Sequence, residues 1–218
     1  MLLQRIQAPL ILLMGCALVA PQVSAAEMDS LQDNQVLGMG RLNRADPSRA
    51  DWATKSTTAP SSPDQWLAFL QERKESVLVL ERTDRSLRST GDPIWDLRLE
   101  IPGQPPHHYP AVSGRANRQQ ANRDQMGSRA PLPRGHYTLG AVEPLAAGAY
   151  PELGPIWISI EPSFSTGRRV LGIHQDPSAG RNSQSGTLGC IGLIHRKDIL
   201  ELSELIRRTG TRQLVVRD

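Results

Sequence analysis

IWDLRLEI, residues 94 to 101, alternates without a break: Trp95, Leu97, Leu99 and Ile101 fall on one side, and Ile94, Asp96, Arg98 and Glu100 on the other. Successive side chains of an extended chain point to opposite faces, so this pattern describes a strand with one face in a core. Upstream, SVLVLER (76–82) is a short apolar run with β-branched residues, closed by a turn around STGDP (89–93). Downstream, HYPAVSG (108–114), GHYTLGAV (135–142), IWISIEP (156–162) and RRVLGIH (168–174) are further strand candidates, each bounded by Gly or Pro. The middle of the chain is therefore β-rich. RANRQQANRDQMGSRAPLPR (115–134) interrupts it with a long polar stretch that reads as an exposed functional loop.

Two helical patterns bracket these strands. PDQWLAFLQERKE (63–75) puts Trp66, Leu67, Phe69 and Leu70 on one face, with Ser62 or Asp64 able to cap it. HRKDILELSELIRRTG (195–210) spaces Ile199, Leu202, Leu205 and Ile206 for burial, carries Arg207 and Arg208 in its last turn and stops at Gly210. A final strand, QLVVR, follows. The expected fold is mainly β with a C-terminal helix packed on it.

The chain of 218 residues allows one domain and a tail. Its formal net charge of +3 comes from basic residues spread along the sequence, which does not call for nucleic acid. At the N-terminus, Arg5, the apolar APLILLMGCALVA and the small residues VSA before Ala26 read as a secretory signal peptide over residues 1–25. The apolar run is well below the ~20 residues of a membrane-spanning helix, so no stable membrane span is expected. An uncleaved anchor and a lipid-modified Cys16 in LMGC are the alternatives. Residues 26–63, rich in Pro, Ser and Thr and without apolar periodicity, read as a linker or disordered tail, leaving 64–218 as the folded domain. The expected location is the periplasm or cell envelope.

Cleavage after Ala25 leaves Cys190 as the one remaining cysteine, in GTLGCIGL (186–193). An exported protein cannot form an internal disulfide from one thiol. Cys190 is then either an inert buried residue or a nucleophile. His174 lies sixteen positions earlier, at the end of a strand candidate, and PSAGRNSQSG (177–186) between them has the composition of a loop. Gly186, Gly189 and Gly192 allow close approach of backbone, and amides there could face a developing oxyanion. They are also what tight turns between strands require, so residue types and spacing leave both readings open.

The ordering of segments resembles the L,D-transpeptidases of the YkuD type over about residues 75–218. His174, the loop and TLGCIGL are similar to that family's His and Ser/Thr-x-Gly-Cys box. PAVSG resembles the strand before its substrate loop, APLPRGHYTLG its Thr-Pro-x-Gly-x-Tyr/Phe segment, and KDILELSELIRRTGTRQLVV its closing helix and strand. The resemblance implies a β-sandwich-like domain acting on peptidoglycan stem peptides as a monomer, without cofactor or metal. It implies Cys190 as nucleophile, His174 as base, the Gln175 carbonyl as orienter of the imidazole, and the Gly189 and Cys190 amides as oxyanion donors. Thr187, Leu188 and Gly192 fall at substrate-facing positions. Two of them depart from the family: Leu188 stands where a second histidine is usual, and Gly192 where Arg or Asn is common. Arg181, Arg168 and Arg129 are candidates for compensating charge. Hydrolysis instead of transfer would make the same site an L,D-carboxypeptidase. Two further readings are a non-catalytic cell-wall-binding module and a zinc peptidase drawing ligands from His174, Asp176, His195 and Cys190.

Overall fold

The computed structural model describes residues 59–218. The expected signal peptide, Cys16 and nearly all of the expected linker lie outside the described residues. Strand β2 (Pro93–Glu100) buries Trp95, Leu97 and Leu99 completely. It lies antiparallel between β1 (Val77–Ser86) and β3 (His107–Ser113), with Leu97 opposite both Leu80 and Tyr109. On its polar face Arg98 Nε donates to Glu100 at 2.8 Å and Nη1 lies 3.5 Å from Glu81. The first half of β1 does not alternate because both its faces are covered. Leu78 and Leu80 enter the main core, while Val77 and Val79 pack with Leu67 and Leu70 of helix α1 (Pro63–Glu72). Ser62 caps that helix by accepting the Gln65 N–H at 3.3 Å.

The remaining strands are β4 (Gly135–Pro144), β5 (Ile156–Pro162), β6 (Leu171–Gln175), β7 (Ile191–Leu193) and β8 (Gln213–Val216). They join in the order β1-β2-β3-β7-β6-β5-β4-β8, and β8 pairs back onto β1, so the sheet closes into a barrel. The expected two-sheet packing is thus realised as one sheet that meets itself, which leaves no unpaired edge. Two of the pairings, β1–β8 and β6–β7, are parallel. Helix α2 (Arg196–Thr209) adds Ile199, Leu202, Leu205 and Ile206 to the strand core and ends at Gly210 with φ 66°.

Two sequence expectations change. The polar stretch 115–134 is not exposed throughout: Ala130 and Leu132 are fully buried, and the Leu132 N–H is held by Ser113 Oγ at 2.9 Å. RRVLGIH does not begin as a strand at Arg168. Val170 has φ 54°, a left-handed conformation costly for a β-branched residue, and β6 starts one residue later. The alternation is reset there, leaving Val170 85% exposed and Arg168 buried. Among the described residues no helix is long and apolar enough to cross a membrane.

Candidate active site

The parallel pairing of β6 with β7 brings the two motif residues together. Ile173 stands opposite Ile191 and His174 opposite Gly192. Ile173 and Ile191 are both core residues, so the alternate positions, His174 and the Cys190 that precedes β7, belong to the outer face. Both side chains line one cavity of about 660 Å³, together with Leu153, Leu188, Arg115 and Arg181.

His174 is 5% exposed, and its Nδ1 lies 2.6 Å from the Gln175 carbonyl oxygen. A carbonyl only accepts, so Nδ1 carries the proton and Nε2 keeps its lone pair. Trp157 lies over the ring at 5.9 Å with 21° between planes. Burial pushes the imidazole below its ordinary 6.5, against the opposing pull of the Gln175 carbonyl, Asp176 and Glu152. The neutral ring is therefore its state at pH 7. The contact with Gln175 is through its main chain, not its side chain.

Cys190 is partly exposed, and among the described residues it forms no disulfide. Its Sγ lies 3.9 Å from the Val170 carbonyl. Burial pushes the thiol above its ordinary 9.0; a hydrogen bond from the Gly172 backbone and the Arg168 charge act the other way. No hydrogen bond joins Sγ to His174 in this structure. The resting arrangement is a thiol and a neutral imidazole facing one cavity.

The loop between them is fixed by buried polar groups that the sequence did not single out for this purpose. Asp176 accepts the Ser178 N–H at 2.9 Å through Oδ1 and the Gly186 N–H at 2.8 Å through Oδ2. Asp92, 2% exposed, accepts from Ser185 Oγ at 2.5 Å and Thr90 Oγ1 at 2.6 Å, and from the Ala116 N–H at 3.1 Å. In the sequence Asp92 belongs to the STGDP turn and Asp176 to the candidate zinc ligands; the returning strands make both of them buried anchors.

Several expected site residues sit differently from the expectation. Thr187 Oγ1 accepts the Gly114 N–H at 3.0 Å and the Gly189 N–H at 3.1 Å, and donates to the Cys190 carbonyl at 2.8 Å. That uses all a hydroxyl has, so Thr187 braces the loop and has no bond left for a substrate. The Gly189 amide is engaged in the same way. Of the two expected oxyanion donors, the Cys190 amide is the one without a partner among the described residues. Gly192 is buried, and a Cβ there would come within 2.9 Å of Thr187 Cγ2 and the Asp176 side chain. An Arg or Asn has no room in this packing. Leu188 is 62% exposed and Arg181 is exposed; both reach the cavity. Arg168, one of the candidates for compensating charge, is buried, 7% exposed. Its Nη2 donates to the Leu188 carbonyl at 2.6 Å. Among the described residues no three His, Cys, Asp or Glu side chains gather as a metal-binding group, and His195 is not at the cavity.

No family model and no curated protein matches the sequence. Among solved structures the chain is similar to one described as the structure of Bdellovibrio bacteriovorus Bd1075, with 15% identity and a TM-score of 0.40, covering 67% of this chain and 49% of that one. This chain spans about half the length of that protein.

Proposed function

We propose that this chain is an exported, peptidoglycan-modifying cysteine acyltransferase of the L,D-transpeptidase, YkuD-type family. The observation that supports this reading is the shared cavity, in which His174, with Nδ1 engaged by the Gln175 carbonyl, and the thiol of Cys190 stand on one face of neighbouring strands.

Because burial disfavours both thiolate and imidazolium, the proton leaves Sγ as the sulfur attacks. His174 Nε2 takes it, and the sulfur bonds to the carbonyl carbon of the third, diamino-acid residue of a stem peptide. The oxyanion is met by the Cys190 amide. The C–N bond to the terminal D-alanine then breaks, and its nitrogen leaves with the proton from Nε2. A thioester remains on Cys190. An acceptor amine gives up a proton to His174, attacks the thioester carbon and forms a new amide, and the sulfur regains its proton. Water in place of the amine gives the L,D-carboxypeptidase reaction.

Intact-mass spectrometry of wild type and Cys190→Ala after a carbapenem, and separately after a tetrapeptide stem, tests the reading. A covalent adduct on wild type alone is expected. A folded wild type with no adduct from either compound overturns it. The lack of a direct bond between thiol and imidazole and the exposed Leu188 favour one other reading, a cell-wall-binding module without turnover. That reading expects sacculus binding unchanged in Cys190→Ala.

A further inference from the structure

Arg168 sits in the loop before β6, and each of its three partners is a neutral oxygen. Nη2 donates to the Leu188 carbonyl at 2.6 Å, and Nη1 donates to the Arg123 carbonyl and to Ser128 Oγ, both at 3.2 Å. A buried guanidinium without a carboxylate partner is costly, and burial does pull its proton affinity down. A residue needed only to join two loops could do so without that charge. The guanidinium also occupies the space beside Gly189. A Cβ at Gly189 would fall on Nη2 and lie 3.1 Å from the Ala130 carbonyl, and Gly189 itself has φ 120°. The motif glycine therefore admits the Arg168 guanidinium. On the other side of the same peptide, Thr187 holds the Gly189 N–H and the Cys190 carbonyl.

From this geometry we infer that Arg168 is a positioning residue for Cys190. Its guanidinium holds the Leu188 carbonyl, two residues before the thiol-bearing Cys190, and brings a positive charge to the site. The inference rests on the reading of Cys190 as nucleophile. The charged and titratable groups around the thiol are Arg168 from the loop before β6, His174 from β6, Asp176 after it, Glu152 from the segment before β5, Arg115 after β3 and Arg181 from the long loop. Arg168 is the charge that acts directly on the sulfur.

The test compares wild type, Arg168→Lys and Arg168→Gln in the full chain. It measures iodoacetamide alkylation of Cys190 against pH, read by peptide mass mapping, together with the carbapenem acylation rate and Tm. Arg168→Gln is expected to move the alkylation midpoint to higher pH and to slow acylation roughly tenfold or more, the scale of one lost charged hydrogen bond. Arg168→Lys, which keeps the charge and loses the fork, is expected to leave the midpoint near wild type and still slow acylation. Wild-type midpoint and acylation in both folded variants overturns the inference, as does a lowered Tm with both readouts unchanged. If the Gln variant does not fold, the Lys variant decides on acylation rate. Wild type that alkylates but never acylates refutes the enzyme reading, whereas Arg168 variants indistinguishable from an acylating wild type refute only the role of Arg168.

Discussion

Two histidines lie on opposite sides of a useful contrast. His136, under helix α1, and His174, at the β6–β7 cavity, are 6% and 5% exposed, both face a tryptophan, and burial holds both below their ordinary 6.5. His136 stacks on Trp66 at 3.8 Å with both ring nitrogens engaged, Nδ1 by Ser163 at 3.0 Å and Nε2 by Gln213 at 2.6 Å. His174 has one nitrogen engaged and the other left beside a cavity that holds a thiol. Burial and aromatic packing do not separate a structural imidazole from one able to move a proton; an uncommitted nitrogen facing open space does.

Substitutions break this contrast first. Cys190→Ser and His174→Ala are expected to abolish detectable acyl-enzyme, because removal of a proposed base alone costs about 10²–10⁴ in rate. His136→Ala is expected to keep acylation while losing stability, and mass spectrometry paired with thermal unfolding separates the two cases. Equal loss of acylation at both histidines in folded protein would erase the distinction.

Thr187→Val comes next, for stability. It strands the buried Gly114 and Gly189 amides and is expected to cost about 3 kcal/mol, read as a Tm lower by roughly 10 °C. Thr187→Ser retains the hydroxyl and is expected to restore most of that loss.

The pH dependence of Tm sharpens the comparison further. Both histidines have folded pKa values below 6.5, so the unfolded chain binds protons first as pH falls. Stability from this source is complete above 6.5 and is lost as pH drops through and below it. His136→Ala is expected to flatten that slope in part and leave the share belonging to His174. Cys190 gives the opposite limb: its folded pKa is raised above 9.0, so the unfolded chain releases its proton first and stability falls as pH rises past 9. Cys190→Ala is expected to remove that contribution.

The smallest effect belongs to Arg181. It is exposed at the cavity, where a single screened charge contributes no more than about 1 kcal/mol. Arg181→Ala is expected to raise KM for a stem peptide by up to about fivefold with kcat unchanged.

Much of the barrel was legible because its strands obey local rules. The alternation of residues 94–101 survives as the buried Trp95, Leu97 and Leu99, and the spacing of Ile199, Leu202, Leu205 and Ile206 survives as the buried face of α2. Gly210 ends that helix in the left-handed conformation its position in the sequence implied. Arg168 and Val170 show where such reading stops. One left-handed residue shifts the phase of the strand, and the charged side chain turns inward while the apolar one faces water. Alternation cannot register that reversal, since nothing in residue type marks it.

By itself, the sequence determined the strands other than β7 and the two helices, because periodicity is a local property of the chain; it set Cys190 sixteen residues after His174 and left open whether the two act together. Only the tertiary structure decided that the sheet closes, through the parallel contacts of β1 with β8 and β6 with β7 between segments far apart in sequence. It alone decided that Thr187 and Gly192 brace the site from within. The same holds for Arg168, whose guanidinium reaches the peptide before the thiol. The physical reason is that the burial and partners of a polar group are set by whatever the returning chain places beside it.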